Sequence, residues 1–155
     1  ARTARPTLPR SPREDLPALV AMLADDALGA AREDTADPPA PEYARAFEAI
    51  ARSPDQWLIV AEIGAAVVGC LQLSILPNLS QRGMTRAMVE GVRVRADHRG
   101  QGVGEALMAH ATARARAAGA GVMQLTTHGS RADAQRFYAR LGFTASHVGM
   151  KRALD

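Results

Sequence analysis

A glycine-rich stretch carries the strongest chemical signal in this sequence. It reads Arg99-Gly100-Gln101-Gly102-Val103-Gly104 and lies between a predicted strand and a predicted helix. Glycines let backbone N–H groups approach a ligand without an intervening side chain. The first turn of a helix adds unpaired N–H donors at the positive end of its dipole. Together these features predict a loop that binds phosphate.

The spacing of the glycines argues against the two common nucleotide loops. After Gly100 and Gly102, a dinucleotide-binding loop would place its third glycine at position 105, which is Glu105. A P-loop would continue with Lys-Ser or Lys-Thr, and neither follows. Taken alone, the pattern leaves one alternative open, a glycine-rich helix start that binds nothing.

The elements around this loop predict one α/β domain over residues 1–155. Helices are predicted over residues 11–28, 43–51, 103–118 and 132–141, with a loop over 29–41. Strands are predicted over 57–63, 66–76, 86–95, 121–127 and 143–150, after a short first strand that ends at Leu8. Short turns join the three strands between 57 and 95, so these should form an antiparallel meander. The expected fold class is a mixed, mostly antiparallel central sheet flanked by helices.

Two motifs in this order resemble those of the GCN5-related N-acetyltransferases. The pattern Arg-x-x-Gly-x-Gly at Arg99, Gly102 and Gly104 resembles that family's pyrophosphate-binding motif, and the strand before it is similar to the family's central strand. Residues 134–143, Ala-Gln-Arg-Phe-Tyr-Ala-Arg-Leu-Gly-Phe, are similar to its Ala-x-x-Phe-Tyr-x-x-x-Gly-Phe signature. The resemblance covers residues 57–154. It implies an acetyltransferase fold, acetyl-CoA as cosubstrate and an amine as acceptor.

The resemblance also implies roles for individual residues. The pantetheine arm would pair with the backbone of Val92, Arg93 and Val94, because an amide-bearing chain can add to an exposed strand edge. Tyr138 aligns with the tyrosine that relatives use to protonate the departing thiolate. Many relatives carry an asparagine near position 131, where it contacts the cofactor. Here Arg131 stands in its place, either reaching a phosphate or facing solvent.

Glu90 is the candidate general base, because the acceptor ammonium must lose a proton before its nitrogen can attack. In strict strand alternation Glu90 shares a face with Met88, Val92 and Val94. A carboxylate on an apolar face would be a stronger base. A bulge near Gly91 would change this phase. The alternative is a solvated or salt-bridged carboxylate, and a base could also act through water.

Composition limits the other classes of function. The net charge is only +3, from 19 basic and 16 acidic side chains, whereas a nucleic-acid binder would gather more cations on one face. No apolar run is long enough to span a membrane. The single Cys70 excludes an internal disulfide, and the scattered histidines suggest no metal site. We therefore expect neither nucleic acid, membrane nor metal as a partner, and a cytoplasmic location.

Three alternatives stay open at this point. The chain could be a non-catalytic CoA-binding sensor of the same fold, a transferase for a longer acyl group, or a basic nucleic-acid-binding module. The acceptor is expected to be a small-molecule or peptide amine, but its identity cannot be read from the residues. A homodimer is expected from the resemblance alone, since relatives pair through their late strands.

Overall fold

The computed structural model describes residues 5–155, and the sequence predicts most elements in that range to within a few residues. After a 3-10 turn at Arg13–Asp15, the helices are α1 Leu16–Ala24, α2 Ala27–Arg32, α3 Pro41–Arg52, the short α4 Ser80–Gly83, α5 Val103–Ala117 and α6 Ala132–Arg140, and a second 3-10 turn lies at Ala96–His98. The strands are β1 Gln56–Ile63, β2 Ala66–Leu76, β3 Arg86–Val94 and β4 Val122–Leu125. Among these helices, none has the length and apolar composition needed to cross a membrane.

Within the described range, the central sheet has four strands in the order β1-β2-β3-β4. The first three form the predicted antiparallel meander. The fourth lies parallel to β3, because α5 carries the chain back across the sheet between them. The predicted fold class, a mixed and mostly antiparallel sheet flanked by helices, is confirmed.

Both faces of the sheet are buried. Alternate residues of β2 point to opposite faces, so Leu71 and Leu73 pack against Leu107 of α5 while Cys70 packs against Leu19 of α1. Leu71, Leu73 and Leu107 are all at most 1% exposed. The larger cluster, between the sheet and α5, also contains the aromatic rings of α6. The sheet is therefore a fixed platform for both candidate motifs.

The first predicted helix, over residues 11–28, is wrong as a single element. The chain leaves helical geometry at Asp25 and Asp26, and a second helix, α2, begins at Ala27. Asp26 adopts an extended backbone, and its carboxylate accepts the N–H of Gly29 as the N-terminal cap of α2. Aspartate competes for backbone N–H groups in this way, which favours a cap over a helix interior. The predicted loop consequently starts after Arg32 instead of at Gly29.

The two ends of the chain also depart from prediction. Beside β1, Thr7 exchanges two backbone hydrogen bonds with Glu62, but only isolated bridges form there because Pro6, Pro9 and Pro12 lack an N–H. Any earlier part of that predicted strand falls before the described residues. The final strand predicted over 143–150 does not form. β4 has only four residues to pair with, and Val148 and Met150 stay exposed.

The buried leucine of α5 provides a test of this core. Leu107 is fully buried and Leu79 is 95% exposed. We expect Leu107→Ala to lower the free energy of unfolding by about 2–5 kcal/mol, because it removes buried methyl groups and leaves a cavity. The matched variant Leu79→Ala should change it by less than about 0.5 kcal/mol. Urea unfolding measures both, and equal effects would contradict the packing described here.

The thiol of Cys70 should react slowly in the folded protein. It is 4% exposed, and burial raises the pKa of its thiol to about 12. The reactive thiolate is therefore scarce at neutral pH. We expect a thiol reagent such as dithionitrobenzoate to react slowly at pH 8 with the native chain and quickly with the urea-unfolded chain. Fast reaction of the native protein would show that this core opens.

Candidate functional site

The candidate site lies where β3 extends beyond the end of its neighbour β4. The two strands pair only from Arg86↔Val122 to Val89↔Leu125, whereas β3 continues to Val94 along β2. Residues 90–94 therefore have a free side facing away from β2, which we call the open edge. The N–H of Arg95 points to Val68 of β2. By strand alternation, the backbone groups of Val92 and Val94 point into the open edge.

A bulge at Gly91 sets which side chains line this region. Its φ of 61° lies in the left-handed region that glycine tolerates, and the β2–β3 register shifts between Gln72↔Glu90 and Cys70↔Arg93. Val92 and Val94 consequently pack towards α5. The expectation from strict alternation, that Glu90 shares their apolar face, is wrong. Glu90 is exposed on the opposite face, next to the open edge.

The glycine-rich loop begins α5, as predicted. Gly102 is the N-terminal cap with a φ of 82°, a backbone conformation that costs other residues about 1–2 kcal/mol. The N–H groups of the first turn, at Val103, Gly104 and Glu105, have no partner inside the helix. They form the N-terminal, positive end of a 15-residue helix. This is the geometry of an anion site.

Gly104 connects the two motifs. A Cβ at this position would lie 3.2 Å from the ring of Phe137 and 3.7 Å from Val94. The approach of α5 to α6 is close enough here that any side chain would displace the ring of Phe137. Because Tyr138 follows Phe137 directly, the glycine-rich loop and the candidate acid lie near each other.

Tyr138 is largely enclosed by aromatic neighbours. Its ring meets those of Phe137 and Phe143 edge to face, with centroids 5.2 and 5.8 Å apart. Burial raises the pKa of its phenol, and the charges of Arg93 and Arg131 partly oppose that rise. The hydroxyl is therefore protonated at neutral pH, the form that a proton donor needs.

Arginine side chains donate hydrogen bonds to the carbonyls of the open edge. Arg93 donates to the carbonyl of Val92 at 2.9 Å, and Nε of Arg99 donates to that of Val94 at 3.2 Å. Arg99 also pairs with Asp25 at 3.6 Å. The pantetheine prediction involves the backbone of Val92, Arg93 and Val94, so a ligand that paired with these two carbonyls would replace guanidinium donors with its own N–H groups.

Two functional candidates escaped the sequence analysis. Asp25 and Asp26, at the break between α1 and α2, reach across to the arginines of the site: Asp25 to Arg99, and Asp26 to Arg93 and Arg131 at 3.7 and 2.9 Å. The signal for them was two adjacent aspartates inside an apolar helical pattern, which favours a cap.

Gln101 is exposed, and its amide donates to the carbonyl of Asp97 at 3.4 Å.

The donor set fits a long ligand with phosphates at one end and amides along its length. The helix start offers N–H groups to the phosphates, and the open edge offers backbone pairing to the amides. Tyr138 lies among the same elements and can give a proton. Across residues 5–155 no group of three or more His, Cys, Asp or Glu side chains is placed to hold a metal ion.

Comparison with known proteins gives the same picture. Over 88 residues the chain is 39% identical to the aminoalkylphosphonate N-acetyltransferase of Salmonella typhimurium; this match covers 57% of the chain and about half, 56%, of that relative. A Bacillus halodurans crystal structure described as a transcriptional regulator is 44% identical and has a TM-score of 0.94, covering 96% of this chain and 99% of that one.

A more distant neighbour shares only the fold. An aminoglycoside N-acetyltransferase in complex with CoA is 17% identical with a TM-score of 0.79, covering 98% of this chain and 97% of that one. The model of the Acetyltransferase (GNAT) family matches residues 20–143. That range contains the open edge, the glycine-rich loop and Tyr138, and the chain belongs to the GNAT acetyltransferase family.

Proposed function

We propose that this chain is an acetyl-CoA-dependent N-acetyltransferase that acetylates the primary amine of a small acceptor by direct transfer. The observation that carries the proposal is the open edge of β3, which leads into the glycine-rich loop at Arg99–Gly104 and whose Val92 and Val94 pack against the same core cluster as Tyr138. The match to a relative whose name gives an aminoalkylphosphonate as its acceptor supports a small amine.

Some of these residues would bind the cofactor, and others would carry out the reaction. The N–H groups of the loop from Gly100 to Gly104 hold the pyrophosphate, with Arg99 beside them. The outward backbone groups of Val92 and Val94 pair with the pantetheine amides, and Arg93 flanks them. Acetyl-CoA supplies the activated acyl group.

The transfer requires one base, one donor and one acid. Glu90, directly or through a water, removes a proton from the acceptor ammonium, for which its exposed position allows access. An outward backbone N–H at the open edge donates to the thioester oxygen as the nitrogen attacks and negative charge develops. The C–S bond then breaks and Tyr138 gives its proton to the sulfur, and the proton that the nitrogen loses on becoming an amide restores the phenol.

Replacement of Tyr138 tests the acid step. We expect Tyr138→Phe to lower kcat by about 100-fold or more, the usual value of a positioned acid, while the KM for acetyl-CoA changes little. Phe143→Leu removes a neighbouring ring without the hydroxyl and serves as the packing control. CoA release measures turnover, and a Tyr138→Phe enzyme with wild-type kcat would remove Tyr138 from the mechanism.

A direct test of the whole proposal is a thermal-shift titration followed by an amine screen. Acetyl-CoA should raise the melting temperature, because it binds only the folded chain. Amines should then stimulate CoA release. Stabilisation without turnover by any amine would favour the CoA-binding sensor. Salt-dependent DNA binding without stabilisation by acetyl-CoA would favour a nucleic-acid-binding module.

The cytoplasmic location and the homodimer are also proposals. The apolar side chains of Val148, Met150 and Leu154 are 86–90% exposed, and Gly149 lies beside Thr126, just past the end of β4. An exposed apolar segment next to a free strand edge is suited to pairing with a second copy.

Light scattering after gel filtration tests this pairing. We expect the wild-type chain to elute as a dimer, and Val148→Asp with Met150→Asp to elute as a monomer, because the charges oppose burial of the segment. Ser146→Asp, on the same segment, is the control and should stay dimeric. A monomeric wild-type chain would overturn the proposal.

A further inference from the structure

Three arginine charges act on a single carboxylate, that of Asp26. Arg131 pairs with Asp26 at 2.9 Å and Arg93 at 3.7 Å, and Arg32 is near enough for its charge to act on the same carboxylate. We call Arg32, Arg93 and Arg131 the arginine cluster. Three positive charges around one negative charge leave an excess of about two, which attracts a further anion.

The cluster also has unused hydrogen-bonding capacity. Nε of Arg93 is buried and has no hydrogen-bond partner in the part of the chain that the structure describes. The oxygen of Asp26 at 3.7 Å is too distant to accept from it. A buried guanidinium donor without a partner is costly, and an oxyanion with several acceptor oxygens would satisfy it.

Asp26 holds its charge for local reasons. The backbone N–H of Gly29, followed by the charges of Arg131, Arg93 and Arg32, holds the pKa of this carboxyl below its usual value. Asp26 is part of a helix cap at a chain break and is 30% exposed. It can therefore yield the guanidinium groups of Arg93 and Arg131 to a ligand while keeping its bond to Gly29.

The cluster lies at the open edge, because Arg93 belongs to that edge and donates to the carbonyl of Val92. The charges of Arg93 and Arg131 both act on the phenol of Tyr138, and Arg93 is two residues past the bulge at Gly91. The phosphate loop has its own arginine, Arg99, which pairs with Asp25 instead. An anion at the cluster would therefore belong to a molecule that meets the thioester.

From this placement we propose that the acceptor is an amine that also carries an oxyanion, and that Arg93 and Arg131 bind that oxyanion in place of Asp26. The inference rests on the proposed acetyl transfer. It adds that phosphonate, phosphate or carboxylate groups a few bonds from the amine favour turnover. It also predicts discrimination against polycationic amines, because the cluster repels them.

Matched amines separate the substrate class from the reaction itself. The chain is assayed by CoA release with 2-aminoethylphosphonate, β-alanine and 3-aminopropan-1-ol, which offer a phosphonate, a carboxylate and a hydroxyl. We expect kcat/KM to be at least tenfold higher for one of the two anionic amines than for the aminoalcohol. Equal or higher kcat/KM for the aminoalcohol overturns the inference but leaves acetyl transfer intact.

Variants identify the groups responsible. Arg131→Gln and Arg93→Gln should each raise the KM for the anionic amine by about tenfold to a hundredfold, the range for a charged hydrogen bond, with the KM for acetyl-CoA within twofold of wild type. Arg136→Gln, an exposed arginine on the same helix as the Tyr138 side chain, is the control and should change neither. A rise in the KM for acetyl-CoA alone would assign the cluster to the cofactor and overturn the inference.

Replacement of Asp26 should change the KM for the anionic amine in the opposite direction. Asp26→Asn keeps a capping side chain for α2 but removes the competing charge, so the KM for the anionic amine should fall. Methylphosphonate gives a readout that needs no turnover: it should stabilise the wild-type chain in a thermal shift and fail to stabilise Arg131→Gln. Equal stabilisation of both would overturn the inference. If acetyl-CoA itself neither stabilises the chain nor is consumed with any amine, the proposed function fails as well.

Discussion

The unequal lengths of β3 and β4 are the constraint on which the site depends. Because β4 ends at Leu125 while β3 continues along β2, a stretch of backbone is left with free N–H and C=O groups on one side. A free strand edge is a liability in most proteins. Here the side chains of Val92 and Val94 pack against the same cluster as the aromatic residues of α6, and the carbonyls of the edge accept bonds from Arg93 and Arg99.

The bulge at Gly91 determines which face of the sheet each side chain near the open edge occupies. With it, Val92 and Val94 turn into the core and fix the strand, while Arg93 emerges on the face of α1 and α2 and Glu90 stays accessible to solvent. The same bulge brings the carbonyl of Gly91 to the thiol of Cys70, 3.6 Å away. One extra residue in one strand therefore separates the groups that hold the fold from those available for chemistry.

Local patterns in the sequence predicted the parts of the fold that are themselves local. The loop before α5, the three-strand meander and α6 each depend on glycines or on apolar periodicity within one segment, and all were placed to within a few residues. The side of Glu90 could not be decided, because a bulge depends on pairing with β2. The break at Asp25 and Asp26 was missed because apolar spacing alone cannot show that an aspartate caps a new helix. The last predicted strand, over residues 143–150, does not form, because strand pairing depends on a neighbouring edge that periodicity within one segment does not reveal.

The contact between Gly104 and Phe137 has a mechanical consequence. Gly104 of α5 lies so close to Phe137 of α6 that an added Cβ would stand 3.2 Å from the ring, which would then have to shift by a few tenths of an ångström. A displacement of the first turn of α5 towards α6 would therefore push on Phe137, since close-packed interiors compress little. Under the proposed function, a phosphate bound at the start of α5 and the phenol of Tyr138, the residue after Phe137, would be mechanically coupled through this one contact.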